Sequence, residues 1–162
     1  MSNRFANYSV NDFDTFDCLK LSKGFYLTLL YVLRAYIVFI MSVTNMRDKV
    51  AIIQWLYPQP DLFYLSLISG AIGLYLLLII SLRRPEAADW VKKSWRNYRI
   101  ILVFALLFDL GISAAGLFLW QLMSVKLLVM HLTIAVIIVY FSYTSDRVAL
   151  NLEEFPEKLP EE

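Results

Sequence analysis

A single cysteine and a single histidine in 162 residues remove several classes of chemistry at once. Cys18 alone cannot close an intramolecular disulfide, form a Cys-x-x-Cys redox pair or build a cysteine zinc cluster, which excludes the membrane thiol oxidoreductases. A transmembrane b-type haem generally takes two axial histidines, and His131 stands by itself, with methionine as the substitute ligand. No His-Glu-x-x-His, Gly-x-Ser-x-Gly or phosphate-binding Gly-rich pattern ending in Gly-Lys-Ser/Thr occurs. Intramembrane metalloprotease, serine hydrolase and nucleotidase therefore lack a motif. No cofactor and no metal are expected, and an enzyme is the least favoured class. A basic stretch leading into a short apolar run with a small-residue cleavage site is also missing from the polar, acidic start of the chain. The first apolar helix is accordingly expected to stay as an uncleaved anchor.

Apolar length is what the chain has in abundance. Hydrophobic residues make up 59% of it and its mean hydropathy is +0.59, above the soluble range, where apolar residues are nearer half. About 20 residues at 1.5 Å rise cover a hydrocarbon core of roughly 30 Å, and four stretches are long enough. They predict an all-α integral membrane bundle of four transmembrane helices over about 21–43, 62–82, 100–122 and 127–143. Around this domain (21–145) lie an N-terminal arm (1–20) and an acidic tail (146–162), expected to fray beyond about Leu152. Between the first two spans, the apolar run from Val50 to Tyr57 is too short to cross. With Trp55 and Tyr57 of the headgroup-level type, it predicts a short interfacial helix ended by Pro58 and Pro60.

Within the second span, Ser66 with Gly70 and Ser69 with Gly73 form small-xxx-small pairs that let another helix approach closely. Pro85, with Glu86 and Asp89 after it, suits a helix start, and a helix beginning there could run unbroken into the third span. On the way, Trp90, Trp95 and Tyr98 mix with Lys92, Lys93, Arg96 and Arg99. That mixture predicts a basic and aromatic surface on anionic lipid rather than on nucleic acid. The short connection Met123 to Lys126 makes the last two spans an antiparallel hairpin. In the arm, Asp12, Asp14 and Asp17 alternate with Phe13 and Phe16. A solvated arm with its aromatics at the interface is the simpler reading, and a docking motif the other.

Lysines and arginines set the orientation. If the termini share a side with the second loop, that side carries 11 of them and the opposite side 3, so the tendency for positive loops to stay inside puts both termini in the cytoplasm. The bias also favours parallel over antiparallel homo-oligomers. Arg34 and Asp109 lie within the long apolar stretches, where a lone charge costs on the order of 2.5–3.5 kcal/mol on insertion scales. They are expected to pair, with Tyr31 one turn before Arg34 and Ser113 one turn after Asp109 taking up the remaining hydrogen-bonding groups. His131, near the outer end of the fourth span, is expected to find Gln121, Trp120 or interfacial water, with a proton relay as the less favoured role.

The strings Asp17-Cys18-Leu19-Lys20, Leu33-Arg34-Ala35-Tyr36, Tyr57-Pro58 and Glu154-Phe155-Pro156-Glu157 resemble those of the YfeZ-like family of small bacterial inner-membrane proteins, a domain of unknown function. Where that family has a proline after its Leu-Lys pair, this chain has Leu21-Ser22. The resemblance implies a multi-pass inner-membrane protein and brings no activity with it. Two functions stay open. One is an accessory or scaffold protein that contacts lipid and a protein partner, or further copies of itself, through its helices or cytoplasmic parts. The other is a small transporter or channel subunit with a polar path at Arg34 and Asp109. Two central charges of opposite sign leave little hydrophilic surface for a path, which favours the first.

Overall fold

A computed structural model of the chain describes residues 8–45, 50–57, 59–119, 121 and 124–157. The expectations that involve Arg4, Arg47, Lys49, Pro58, Trp120, Leu122, Met123, Lys158 and Pro160 lie outside those residues. The helices, in chain order, are α1 (Lys23–Val32), α2 (Arg34–Thr44), α3 (Ala51–Leu56), α4 (Pro60–Ser81), α5 (Asp89–Arg96), α6 (Tyr98–Phe118), α7 (Val125–Thr144) and α8 (Asp146–Glu153). No strand occurs among the described residues; one bridge joins Phe13 to Leu19. Three helices, α4, α6 and α7, are long and apolar enough to cross a membrane, and α1 with α2 make a fourth if the bent pair is one span. The chain is an all-helical membrane protein.

The long helices carry large apolar side chains on their outer faces, such as Ile68 of α4, Leu107 of α6 and Ile137 of α7, as suits a bilayer. α4 packs on α6, α6 on α7, and α1 on both α4 and α7. Within its apolar window α7 is only 11% buried, so most of its surface is left for lipid. Pro60 stands in the first turn of α4 and starts that helix, rather than ending the short α3 before it. Ser124 caps α7, accepting from the Leu127 N–H at 3.4 Å.

The first apolar run is not one straight helix. α1 and α2 meet at Leu33 with a bend of 71°. Neither proline nor glycine stands at the break, where Leu33 has φ −90° and ψ 8°, and helical bonding resumes with the Ile37 N–H on the Leu33 carbonyl at 3.0 Å. Two interactions account for the bend. The Arg34 side chain turns back and donates through Nη1 to the Tyr31 carbonyl at 3.2 Å, an insertion of the kind that bends helices. The elbow then sits on glycines of α4. A Cβ on Gly73 would stand 2.6 Å from Val32 Cγ1, and one on Gly70 2.9 Å from Tyr36 Cε2. The small face of α4 therefore receives the elbow of its own chain.

A second departure concerns the segment after α4. Pro85 lies in a turn, α5 begins at Asp89, and a one-residue hitch at Asn97 separates α5 from α6. Asn97 closes α5 by donating its N–H to Lys93 O at 3.2 Å, while its own carbonyl accepts from Ile100 N at 3.0 Å. Val91, Trp95 and Tyr98, at helical spacing, point inward and are at most 2% exposed. With Phe25 of α1 they form the aromatic core of this end, Phe25 stacking on Trp95 at 5.7 Å and meeting Tyr98 at 4.9 Å between centroids.

The tail, expected to fray beyond about Leu152, is helical to Glu153, and Phe155 after it packs on the core. What holds it is the arm. Asn151, fully buried, accepts the Ser22 N–H at 2.9 Å through Oδ1 and donates through Nδ2 to Leu19 O at 2.8 Å. Glu154 Oε2 accepts the Leu19 N–H at 2.8 Å, and the Trp95 indole N–H is shared by the carbonyls of Asn151 and Glu154 at 3.1 and 3.2 Å. Arg83 lies over the Trp95 ring at 4.9 Å and donates to Glu154 O at 3.3 Å. The start of α1, the loop after α4 and the end of α8 are thus tied at one end of the bundle.

Candidate functional site

Acidic residues of the arm serve its own turns. Asp14 Oδ1 accepts the N–H groups of Phe16 and Cys18 at 2.9 and 3.1 Å, Asp12 accepts that of Ser9 at 3.0 Å, and Asp17 takes a left-handed φ of 54°. Asp12 also meets Arg147 of α8 at 3.5 Å. Cys18 is buried behind this loop, and burial pushes its thiol pKa up against the opposing pull of Arg83.

At the elbow the structure brings Arg34 and Asp109 together. Arg34 Nη2 lies between the two carboxylate oxygens, 2.9 Å from Oδ1 and 3.0 Å from Oδ2. Nη1 is already spent on Tyr31 O, so one guanidinium joins the ends of two helices and a third element at once. The break in the first run is what aims the side chain sideways at α6. The carboxylate has another donor, Ser69 of α4, whose hydroxyl reaches Oδ1 at 2.8 Å. Side-chain exposure is 20% for Arg34 and 8% for Asp109, so the pair is sealed on the carboxylate side. Three helices contribute to this junction: α2 the cation, α6 the anion and α4 the hydroxyl.

Ser69 was not among the site residues expected from sequence, where it counted as a packing position. Its spacing from Gly73 was the signal, because the face that lets the elbow approach is also the face that meets α6. Ser113 does not serve Asp109. Its hydroxyl lies 3.3 Å from His131 Nδ1, which gives His131 a partner other than the exposed Gln121. Tyr31 lies under the Arg34 guanidinium at 4.7 Å from its ring centre, edge-on to the His131 ring at 6.4 Å, with its hydroxyl 3.5 Å from His131 O. The five residues Tyr31, Arg34, Asp109, Ser113 and His131 therefore form one polar patch around the elbow, in two linked halves.

The basic and aromatic segment divides by face. Lys92, Lys93 and Arg96 are exposed, as is Trp90, which stacks on Tyr75 at 6.4 Å, whereas Arg99 is half-buried over the Tyr143 ring at 5.2 Å. Trp95 corrects the expectation of a lipid-facing ring: it is 1% exposed, because it shares the inward face of Val91 and Tyr98, which turns it toward Phe25 and its N–H toward α8. Among the described residues no group of three or more His, Cys, Asp or Glu side chains could hold a metal ion.

These elements define a helical membrane protein built around one buried ion pair and one stitched end. The chain belongs to the family described as "Protein of unknown function (DUF2919)", whose family model matches residues 8–154, a stretch that includes the ion pair and both sides of the stitch. No curated protein and no solved structure matches it.

Proposed function

We propose that the chain is a multi-pass protein of the bacterial inner membrane, with four spans and both termini in the cytoplasm, that acts as an accessory or scaffold protein. The observation that carries the accessory role is the closure of Asp109, whose Oδ1 is filled by Arg34 and Ser69 while 8% of its side chain remains exposed. A carboxylate so occupied serves packing; a transport site would leave it a free coordination position and a way to water. The four-span topology draws support from the stitched end, because Leu19 and Ser22 before α1 bond Glu154 and Asn151 after α7. Chain ends on one side call for an even number of crossings, which α4, α6 and α7 supply together with α1 and α2 taken as one bent span. The 11-to-3 distribution of Lys and Arg and the likeness to the YfeZ-like proteins support the cytoplasmic side and the inner membrane.

A second reading, a transporter or channel subunit, draws on the 71° break beside a buried charge, since discontinuous helices flank many transport sites. The test separates the two. Affinity purification in mild detergent should yield a stoichiometric protein partner, and reporter fusions at Glu162 and at Lys92 should both report cytoplasm. Ion or proton flux into liposomes that Asp109→Asn abolishes without loss of folded yield would overturn the accessory role. A periplasmic signal from either fusion would overturn the topology.

A further inference from the structure

α1 and α7 touch at two levels and part between them. At the lower level Gly24 lies so close to the Phe141 ring that a Cβ would overlap it, and at the upper level Tyr31 meets His131. Along the face between these contacts runs an open groove of about 490 Å³, whose walls include Leu27 and Thr28 of α1 and Ile137 and Phe141 of α7. Lys23 stands at its mouth, exposed and without an acidic partner among the described residues. At the far end the Tyr31 hydroxyl is turned away to the His131 carbonyl, so the groove closes on an aromatic ring rather than on a polar group.

We infer that this groove binds one anionic glycerophospholipid, with an acyl chain between α1 and α7 and its phosphate on Lys23. The inference rests on the placement of these helices in a bilayer and not on the accessory role. Three observations commit the site to that occupant. Depth is the first: Lys23 to Tyr31 is eight positions, about 12 Å along the helix, slightly less than one leaflet's half of the roughly 30 Å hydrocarbon core. A chain entering from the headgroup side would end where the polar patch begins. Size is the second. A polymethylene chain about 4 Å thick displaces on the order of 150 Å³ over that length, which the groove accommodates. Charge is the third, since the free ammonium of Lys23 at the mouth complements a phosphate, and its aliphatic stem can lie along the apolar wall while the head stays at the interface.

The test uses the full chain, purified in mild detergent, equilibrated with equal amounts of phosphatidylglycerol and phosphatidylcholine and weighed by native mass spectrometry. One retained phosphatidylglycerol per chain is expected, at about fivefold preference, the scale of one lysine attraction near an anionic surface. Ile137→Trp fills the groove from an exposed position and should remove the adduct; Leu27→Trp does the same from the other wall if the first variant fails to fold. Lys23→Gln should keep a lipid but lose the preference. Equal retention of both lipids by the wild type would overturn the inference, as would adducts undiminished by a folded groove-filling variant. A dimer mass that Ile137→Trp abolishes would overturn it too, by showing a second copy in the groove. Absence of a protein partner leaves every one of these readouts unchanged, so the two failures are distinguishable.

Discussion

Two buried polar junctions hold this molecule, and they are built of different materials. The one at the elbow is ionic: Arg34 and Asp109, with a serine, within apolar helices. The one at the stitched end is neutral at its centre: the Asn151 amide joined to main-chain groups of Leu19 and Ser22, with Glu154 at its rim. An amide satisfies a donor and an acceptor together and loses, on removal, the bonds it made. An ion pair in a low-dielectric surround is different in kind, because deleting either member leaves the other charged and unpaired. The elbow is therefore a fixed decision about which helices meet, whereas the stitch is a closure that can open without dismantling the bundle.

The sharpest way to break that contrast is Asp109→Asn, which leaves Arg34 buried and uncompensated. It should cost about 3–5 kcal/mol and show as a collapse of folded yield in detergent. Asn151→Leu comes next. It strands the Ser22 N–H and the Leu19 carbonyl at about 1–3 kcal/mol each, but the loss should be confined to the stitched end. Cys18 reports it: native alkylation at pH 8 should be slow, because burial holds the thiol pKa above its ordinary value and so lowers the thiolate fraction. In Asn151→Leu the opened end should let that pKa fall back and raise the rate on the order of tenfold, with the helix content unchanged. Gly73→Val, pressing on Val32 and Leu33 at the elbow, should cost about 1–3 kcal/mol in thermal melts. Ser69→Ala should be mildest, about 1 kcal/mol, since Asp109 keeps the guanidinium.

How the two junctions relate to the sequence also differs. The long apolar runs mark α4, α6 and α7 directly, because bilayer thickness sets a length that composition alone can satisfy. Arg34 and Asp109 draw notice as charges in those runs. The bend between α1 and α2 does not, since residues 33 and 34 are neither proline nor glycine and the glycines that receive it stand on α4, about forty positions away, while the Arg34 side chain's turn back to the Tyr31 carbonyl leaves no mark in the sequence. Ser69 takes the Asp109 bond expected of Ser113, and Ser113 turns to His131, for the same reason. Spacing tells which residues share a face, but not which neighbour that face meets. Trp95 misleads because tryptophan among lysines and arginines is typical of a membrane interface; its spacing to Val91, four residues apart, was the contrary signal. Asn151 carries no sequence mark at all, being one polar residue in a short helix whose importance comes from an arm more than a hundred positions away.

The central claim is that the Arg34–Asp109 contact is a structural joint, and a double-mutant cycle tests it most directly. Arg34→Gln, Asp109→Asn and the double variant are to be compared in thermal melts of the detergent-purified full chain. If the joint is structural, each single change is severe and the neutral double variant is more stable than either, with a coupling of about 2 kcal/mol or more. Strictly additive losses, or single variants as stable as the wild type, would contradict it.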